Sequence, residues 1–577
     1  MPAPTQRSEL LPTHLHYFYK WEAETPDKVF LRQPYGRSWR TLTWREAGEQ
    51  ARRIARALQS MNVQRGSFVG ILSKNCYHWI LADLSILMCG AVSVPFYANL
   101  ASEDLRTVLQ KSEVTHLFVG KLDPGYWDKV RHVVPSYIRI IRFPDYPGSS
   151  LVRDGEAWEE LLRQYEPLTE VYKPIRDDLW TILYTSGTTG TPKGVMLKYL
   201  SPALFLEHEL RYRDIGLFDL SEGRFFSYLP LNHIAERLAI ELGCLCLGGT
   251  ISFAESLDTF ARNLQETQPT FFFGVPRIWQ RFRLAVLERF GGERRYNRLI
   301  RLPLIGSLVK KLIRRRLGLD KVELALTGAA QTPDAVKTWF QELGVYVRDV
   351  YAMTENCAGC TVMPKDRNKL GTVGKPLTGV RLKIDEHSGE VLMWADWIMS
   401  GYYKEPDKTA EVLRDGWLHT GDTGEIDEEG FLRITGRVSD AFKTAKGMFV
   451  VPAPLEEPFG KLPFVEQVCV VGLGQTQPLV LLTLSDLGKK VAPAEVEQAV
   501  EEVIQAVNHP LPSYQKVAKA VLLHESWGVE NSLLTPTLKV RRREIDKRYA
   551  PYYETWLARP EKIIWVNELQ TTNPIEI

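Results

Sequence analysis

The segment that decides the fold is Tyr184-Thr185-Ser186-Gly187-Thr188-Thr189-Gly190-Thr191-Pro192-Lys193-Gly194-Val195, which directly follows the apolar run Trp180-Thr181-Ile182-Leu183. Glycines let the backbone turn tightly and bring N–H groups close to an anion, and hydroxyl groups add further donors. The single lysine supplies a compact positive charge. The spacing differs from the Walker phosphate loop, because Gly194 rather than serine or threonine follows Lys193. This chemistry suits a polyphosphate, although a loop rich in Ser, Thr and Gly is, taken alone, also compatible with a flexible hairpin.

Length and composition describe a large globular protein with several domains. The chain has 577 residues, of which 44% are hydrophobic and 25% are charged, and its formal net charge is +2. A chain of this length exceeds what one hydrophobic core normally supports. The near-neutral charge gives no general attraction to nucleic acid, so we expect no nucleic-acid partner.

The lack of recognisable targeting signals and the cysteine usage favour a cytoplasmic location. The sequence has no run of about 18 uncharged apolar residues that would span a bilayer. The first residues lack the apolar core of a secretion signal, and the last residues match neither a peroxisomal nor an endoplasmic-reticulum retention signal. Seven cysteines, an odd number, are scattered along the chain, which is typical of a reducing compartment. We therefore expect a cytoplasmic protein, with any membrane contact peripheral.

The order of apolar segments predicts an α/β fold. Residues 41–58 read as a short strand and then an amphipathic helix that starts near Thr43. A buried strand at 68–72, a helix through 79–87 and a strand at 91–95 follow, and this order implies parallel strands. Further strands are predicted at 250–253, 270–275 and 322–327. The expected fold class is α/β, with a large N-terminal domain of several subdomains built from mostly parallel sheets and helices.

A change of composition near residue 437 predicts a second, smaller domain. The last 140 or so residues read as a small α+β unit, with strands at Val465–Val471 and Leu479–Leu484 and a helix at 493–507. We place the boundary at Arg437 to Asp440, which divides the chain into residues 1–437 and residues 438–577.

Residues 294–321 carry ten basic residues interleaved with apolar ones. This pattern is compatible with a basic amphipathic segment that makes weak contact with an anionic membrane surface. The alternative, which the pattern favours slightly, is a helical hairpin that has a solvated basic face, because lysine and arginine side chains commonly cover helix surfaces.

Four further segments follow the phosphate-loop candidate in a fixed order. They are Tyr228-Leu229-Pro230-Leu231-Asn232-His233-Ile234-Ala235-Glu236-Arg237, Val275-Pro276-Arg277-Ile278-Trp279, Tyr351-Ala352-Met353-Thr354-Glu355 and Gly416-Trp417-Leu418-His419-Thr420-Gly421-Asp422. Together with Gly436-Arg437 and Leu534-Thr535-Pro536-Thr537-Leu538-Lys539, they resemble the motifs of the adenylate-forming superfamily, in particular its long-chain fatty acid–CoA ligase branch. The resemblance spans roughly residues 42 to 549. It departs from the family at Ala352, where glycine is usual, and at Ser439, where relatives commonly carry Asp or Lys.

This resemblance implies a nucleotide site for ATP and Mg²⁺. The chemistry of these side chains suits a nucleotide. Tyr351 offers an aromatic face for adenine, and the carboxylate of Asp422 can accept hydrogen bonds from both ribose hydroxyls. Glu355 and Thr185 are the expected metal-binding residues, because Mg²⁺ prefers oxygen ligands. The full set of expected nucleotide-binding residues is Thr185, Ser186, Gly187, Thr188, Thr189, Gly190, Lys193, Gly328, Ala329, Ala330, Tyr351, Thr354, Asp422, Arg437 and Lys539.

The resemblance also implies catalytic roles for Lys539, His233, Lys193 and Glu355. Carboxylate attack on phosphorus brings negative charges together, and a fixed cation such as Lys539 stabilises that transition state more than the ground state. His233 is expected to orient the acid rather than to transfer protons. The small domain is expected to be mobile and to swing about Ser439 or Asp440.

The expected reaction is activation of a fatty acid, of long chain by resemblance, to acyl-AMP at the expense of ATP, followed by transfer to coenzyme A. One alternative is an acyl-AMP ligase that delivers the acyl group to a separate acyl carrier protein. Another is a ligase for an aryl or short-chain acid. A protein that only binds nucleotide or lipid is the remaining alternative, and joint retention of Lys193, Glu355, Asp422 and Lys539 argues against it.

Overall fold

The predicted strand–helix boundary at Thr43 illustrates how local signals build this fold. In a computed structural model, which describes residues 12–185, 192–303, 305–486, 488–535 and 538–566, strand Ser38–Thr43 passes directly into helix Trp44–Ser60. The Thr43 side chain accepts a hydrogen bond from the backbone N–H of Glu46, and the Glu46 carboxylate accepts one from the backbone N–H of Thr43. This capping box satisfies N–H groups that otherwise have no partner at a helix start.

Two large sheets form most of the N-terminal domain. As far as the structure describes the chain, the first has nine strands, in the order Lys375–Pro376, Thr361–Val362, Val347–Tyr351, Leu324–Thr327, Phe271–Gly274, Arg224–Ser227, Thr250–Phe253, Val29–Tyr35 and Ser38–Thr43. The second has eight strands over the same described ranges, in the order Gly401–Tyr402, Lys193–Lys198, Leu179–Thr185, Val92–Phe96, Phe68–Leu72, His116–Val119, Arg139–Arg142 and Glu156–Ala157. Most neighbouring strands are parallel, as predicted.

A smaller antiparallel sheet completes the N-terminal domain. It contains Arg381–Ile384, Glu390–Trp394, Trp417–Ile426 and Leu413–Arg414, and Leu432–Arg437 pairs with the long strand Trp417–Ile426. Helices pack on the sheets at His14–Glu24, Trp44–Ser60, Tyr77–Met88, Ser102–Ser112, Tyr126–Val130, Trp158–Gln164, Leu200–Tyr212, Ile234–Glu236, Gly243–Leu247, Phe260–Thr267, Pro276–Arg289, Glu293–Ile300, Ile305–Leu317, Asp334–Leu343 and Pro406–Val412, and a π-helical turn spans Arg237–Leu242.

The C-terminal domain is a small α+β unit, as predicted. Strands Val465–Val471, Leu479–Leu484, Lys519–Leu523 and Ile563–Val566 form its sheet, and Phe442–Lys443 pairs with Phe449–Val450. Its helices span Pro452–Gly460, Pro493–Asn508, Arg542–Tyr549 and Tyr553–Ala558. One apolar cluster lies on each face of the four-stranded sheet. The chain is therefore a mixed α/β protein with a large N-terminal domain and a smaller C-terminal one.

Residues 294–321 form most of two helices, Glu293–Ile300 and Ile305–Leu317, here called the basic helix pair. The helical hairpin that the sequence allowed is thus present. Among the residues that the structure describes, no helix combines the length and the apolar character needed to cross a membrane.

Candidate active site

The Asp422 carboxylate lies at the junction of two antiparallel strands. Strand pairing places Asp422 directly opposite Arg437, and the guanidinium Nε lies 3.0 Å from the carboxylate Oδ1. The hydroxyl of Tyr351 donates a hydrogen bond to Oδ2 at 2.7 Å. Burial and the neighbouring carboxylate raise the pKa of Tyr351 well above its usual value, so the phenol stays a donor. The sequence predicted all three residues as nucleotide-binding, and the structure brings them together.

A second group of polar side chains surrounds Glu355. The Tyr402 hydroxyl donates to Oε1 of Glu355 at 2.8 Å, and the ammonium group of Lys193 lies 5.0 Å from the centre of the Tyr402 ring. Lys193 pairs with Thr185 across the hairpin that carries the phosphate-loop candidate. Tyr402 pairs with Val195 on the other side of the same strand. These pairings place Thr185, Lys193 and Glu355 in one region.

The backbone after strand Leu324–Thr327 forms a close-packed wall. A methyl group added to Gly328 would come within 2.8 Å of the Val350 side chain, so this position has no room for a larger residue. Ala329 adopts a left-handed conformation with φ of 67°, which is uncommon for a residue other than glycine and is seen most often at functional sites. Ala329 and Ala330 are exposed, whereas Gly328 is buried.

The His233 ring is held by the backbone that follows it. Its Nδ1 atom accepts a hydrogen bond from the backbone N–H of Ala235 at 3.2 Å, so the ring proton of the neutral form resides on Nε2. Burial lowers the pKa of His233 to about 4, and the positive charge of Lys539 contributes. At neutral pH the ring is therefore uncharged and presents an N–H donor.

The backbone of Lys539 is hydrogen-bonded to Thr535. The backbone N–H of Thr535 donates to the carbonyl of Lys539 at 2.8 Å, and the backbone N–H of Lys539 donates to the Thr535 hydroxyl oxygen at 3.1 Å. Leu538 is left-handed, with φ of 61°, and its N–H donates to the Thr535 carbonyl. These hydrogen bonds thus fix the backbone from which the lysine side chain projects.

The electrostatic surroundings of Lys539 come from both domains. Its side chain is exposed to solvent, yet the protein atoms around its ammonium group lower its pKa by desolvation. The charge of Arg437 lowers this pKa further, whereas Asp422 and Glu355 act in the opposite direction. Lys539 therefore lies within electrostatic range of the candidate residues of the large domain.

One further contact joins the domains. Arg277, on helix Pro276–Arg289, donates to the backbone carbonyl of Glu466 at 2.8 Å and pairs with its carboxylate at 3.1 Å. A narrow cleft also lies between the domains. Its lining comprises Pro95, Phe96, Tyr97, Leu100, Asp104, Val108, Tyr184 and Pro192 of the large domain and Val529, Leu534, Thr535 and Arg541 of the small one.

Sequence reasoning missed Asn75, which anchors the His233 segment. The Asn75 amide donates to the Ser227 hydroxyl at 2.7 Å and to the Leu229 carbonyl at 2.5 Å, and its oxygen accepts the N–H of Leu231 at 3.1 Å. One side chain from a different part of the chain therefore binds both ends of the turn that leads to His233. Nothing in the local sequence around Asn75 signals these distant partners.

Glu236 belongs to the same network. Its Oε1 accepts hydrogen bonds from the Ser227 hydroxyl at 2.8 Å and from the backbone N–H of Tyr228 at 2.9 Å. Its Oε2 is buried without a partner among the described residues. Burial raises the pKa of Glu236 to about 8. The side chain is therefore largely protonated at neutral pH, and Oε2 is the oxygen free to carry the proton.

The segment that carries His233 ends at Arg237, a buried charged residue. The side chain is fully buried, pairs with Asp83 at 2.5 Å and with Glu241 at 3.2 Å, and lies 5.4 Å and 4.6 Å from the ring centres of Trp79 and Trp180. A buried charge is tolerated only when it is paired. This network joins the histidine segment to the helix and strand that support it.

The remaining candidate residues divide into two groups. Thr354 is buried at the start of the short 3-10 turn Thr354–Asn356 that carries Glu355. Ser186, Gly187, Thr188, Thr189 and Gly190 lie outside the described residues. Within the described ranges, no group of three or more His, Cys, Asp or Glu side chains is arranged to hold a metal ion. A site built around the single carboxylate of Glu355 is compatible with that finding.

Comparison with known proteins identifies the class. The family described as AMP-binding enzyme matches residues 18–403, and its C-terminal domain family matches residues 440–558. The chain belongs to the AMP-binding enzyme family.

Similar proteins share most of their length with this chain. The long-chain-fatty-acid–CoA ligase FadD15 of Mycobacterium tuberculosis is 29% identical, over 92% of this chain and 95% of the relative. The ligase ACSBG2 of Xenopus laevis, also named a long-chain-fatty-acid–CoA ligase, is 28% identical, over 94% and 83%. Fatty acyl-CoA synthetase A of Dictyostelium discoideum is 28% identical, over 90% and 86%.

Solved structures of adenylate-forming enzymes share the fold. The anthranilate CoA ligase AuaEII, in complex with anthranoyl-AMP, superposes with a TM-score of 0.76 at 19% identity, over 94% of this chain and 98% of that one. The o-succinylbenzoate CoA synthetase of Bacillus subtilis, in complex with ATP and magnesium, gives a TM-score of 0.69 at 21% identity, over 92% and 99%. The predicted fold class and superfamily are confirmed.

Proposed function

We propose that this protein is an AMP-forming acid–thiol ligase that converts a long-chain fatty acid to its coenzyme A thioester. In the first half-reaction a carboxylate oxygen attacks the α-phosphorus of ATP, and the bond to pyrophosphate breaks. In the second, the sulfur of coenzyme A attacks the acyl carbonyl carbon, the bond to AMP breaks, and the thiol proton is lost to solvent. The observation that carries this proposal is the grouping of Asp422, Arg437 and Tyr351, with Lys539 within electrostatic range of Asp422 and Arg437.

The nucleotide end of the site is assigned to Asp422, Arg437 and Tyr351. The two oxygens of Asp422 are aligned by different donors, and each retains acceptor capacity for a ribose hydroxyl. Ala329, which has a left-handed backbone, and Ala330 are both exposed just after the neighbouring strand and provide a wall without bulky side chains. We assign the polyphosphate to the segment that joins Thr185 to Lys193, two residues that pair across antiparallel strands.

Magnesium fits the residues present. Mg²⁺ is usually held by one or two carboxylates together with substrate phosphates. Glu355 offers that carboxylate, because the Tyr402 hydroxyl occupies only Oε1, and Thr185 offers a hydroxyl at the base of the phosphate hairpin. When bound, the ion would neutralise phosphate charge. Tyr402 orients the Glu355 carboxylate, and Lys193 places a positive charge over the ring of Tyr402.

Lys539 and His233 are assigned to the reacting groups. The ammonium group of Lys539 stabilises the negative charge that accumulates as the carboxylate meets the α-phosphate. His233 is uncharged at neutral pH, and its Nε2–H can donate to a carboxylate or a phosphate oxygen. It therefore orients the acid instead of acting as a proton carrier. The hydrogen bonds of the Asn75 side chain hold the segment that presents His233.

The second half-reaction requires a different arrangement of the same site. We propose that the domains meet at the predicted boundary, residues 437 to 440, and that the small domain rotates there to remove Lys539 and admit coenzyme A. Strand Leu432–Arg437 ends at this point, and a short 3-10 turn, Val438–Asp440, follows it. Ser439 and Asp440, both within this turn, are the two candidate hinge residues.

Similar proteins are named long-chain-fatty-acid–CoA ligases, and we therefore propose a long-chain fatty acid as the substrate. The test is pyrophosphate release with ATP and Mg²⁺ across acids from acetate to oleate together with aryl acids, each with and without coenzyme A. We expect continuous turnover that needs coenzyme A and is greatest with long chains. Release of about one equivalent per enzyme, unchanged by coenzyme A, would instead identify an acyl-AMP ligase with a separate carrier protein.

Replacement of the lysine separates the two half-reactions. We expect Lys539→Ala to slow acyl-AMP formation by at least about a hundredfold, because it removes the fixed cation from the transition state. Thiolation of added acyl-AMP should change far less. Lys547→Ala, an exposed lysine on the following helix, is the matched control. Normal adenylation by Lys539→Ala would refute the assignment.

A further inference from the structure

The basic helix pair exposes a continuous apolar stripe. Ile305, Leu308 and Leu312 on helix Ile305–Leu317 are 52%, 69% and 56% exposed, and Leu302 in the connection is 42% exposed. With about 100° of rotation per residue, Ile305, Leu308 and Leu312 lie within about 60° of one another on the helix surface. Isolated exposed leucines are ordinary, but contiguous ones mark an interaction surface.

Positive charges flank this stripe on both sides. Lys311 and Arg315 are exposed and lie on one side of the leucines, and Arg316, also exposed, lies on the other. Exposed arginines on the preceding helix and in the connection continue the charge: Arg294, Arg295, Arg298 and Arg301. Residues 294–319 contain no acidic residue. The positive charge of the surface is therefore not neutralised within its own segment.

The opposite face of the same helix is already occupied. Gly306 and Ile313 are buried, and Ile313 packs into an aromatic cluster that includes Phe272 and Trp279. Arg314 turns inward, donating to the Leu343 carbonyl at 2.8 Å. The leucine stripe is thus not needed to hold the helix against the protein.

We propose that the outer face of the basic helix pair docks on an anionic phospholipid bilayer. Its leucines enter the boundary between head groups and acyl chains, and its lysine and arginine side chains contact lipid phosphates. An amphipathic helix with a cationic rim and an apolar stripe binds in this way. The inference does not depend on the proposed function, although it would place the enzyme where long-chain acids partition.

Charge complementarity selects this occupant. A nucleic acid would pair with the cations but would gain nothing from four exposed apolar side chains. A second copy of this face would bring like charges together, which opposes association. An acidic carrier protein is the remaining competitor, and it differs from a bilayer because its binding would not require vesicles.

Vesicle co-sedimentation of the full chain tests the proposal. We expect binding to vesicles of phosphatidylcholine with about 30% phosphatidylglycerol, weak binding to phosphatidylcholine alone, and weakening as salt rises to about 0.5 M. Lys311→Glu/Arg315→Glu should lower the vesicle partition coefficient at least about 25-fold, since each cation near such a surface contributes about fivefold. Leu308→Ser/Leu312→Ser should lower it at least about tenfold.

Matched variants control for total charge and surface polarity. Lys489→Glu/Lys490→Glu changes the net charge equally at exposed lysines of the other domain, and Leu257→Ser removes a highly exposed leucine elsewhere; both should bind as the wild type does. Pyrophosphate release with soluble octanoate should be unchanged in every variant, so this assay judges the proposed function separately. Absence of binding to anionic vesicles, equal loss in the controls, or self-association abolished by Leu308→Ser/Leu312→Ser would overturn the proposal.

Discussion

His233 is half-buried, and this burial, together with the charge of Lys539, lowers its pKa to about 4 from an ordinary value of 6.5. The folded state therefore resists protonation that the unfolded chain accepts, so this group costs stability as pH falls from 6.5 towards 4. Between pH 5 and 8 its charge does not change. A role in orienting the acid agrees with a ring that keeps one fixed N–H donor over that range.

The pH dependence of adenylation tests that role. We expect the wild type to show no acid limb from His233 between about pH 5 and 8. His233→Ala should lower the rate at least about tenfold at every pH in that range, because a donor is lost rather than a titrating group. His233→Gln, which retains an N–H donor, should recover part of the rate. A wild-type limb near pH 6.5 that is absent from His233→Gln would contradict this prediction.

Glu236 shows the opposite effect of burial. Its raised pKa, about 8, means that the folded state holds a proton that the unfolded chain releases above about 4.5. Stability is thus lost as pH rises from 4.5 through 8. We expect Glu236→Gln, which cannot ionise, to remove this loss and to gain about 2 kcal/mol relative to wild type between pH 5 and 8 in urea unfolding. Glu386→Gln, at an exposed position, should leave the pH dependence unchanged.

At the scale of elements, the hydrogen bonds between Thr535 and Lys539 position the lysine side chain. The Thr535 hydroxyl accepts the N–H of the lysine, while the two backbones are also joined directly. We expect Thr535→Val to reduce kcat for adenylation about five- to tenfold, with KM for ATP unchanged, because a small displacement of a catalytic group is costly. Thr535→Ser should restore the rate. A rise in KM without a fall in kcat would show that the threonine binds nucleotide instead.

Elements also show which parts of the site the sequence could reveal. Asp422 and Arg437 were predictable because their motifs are local and the strands that carry them are adjacent along the chain. Tyr402 was not, because it reaches Glu355 only after its short strand pairs with one some 200 residues earlier. Asn75 was missed for the same reason, since its partners around Leu229 are distant in sequence. Nor does local sequence reveal a raised pKa such as that of Glu236, because burial is its main cause.

At the scale of the whole molecule, periodicity and strand–helix order predicted the parallel α/β core and the small α+β domain, because those patterns are set within short windows. The relative placement of the domains is different, since it depends on contacts between segments far apart. The Arg277 guanidinium forms one such contact, with both the backbone carbonyl and the carboxylate of Glu466. In this orientation Lys539 faces the large domain, so the pair favours the arrangement assigned to adenylation.

Removal of that contact should shift the balance between domain orientations. The ion pair is partly exposed, so its contribution is small. We expect Arg277→Ala to destabilise this domain orientation by about 0.5 to 1 kcal/mol and to slow adenylation two- to fivefold. Arg281→Ala, one turn later on the same helix and exposed, should do neither.

The seven cysteines are all buried, so fluorophores on cysteines introduced at Glu166 and Ser513, one on each domain, can report the orientation by energy transfer. Because Glu466→Ala keeps the backbone acceptor, its effect should be smaller than that of Arg277→Ala. Identical transfer efficiencies in wild type and Arg277→Ala would show that other contacts set the domain orientation.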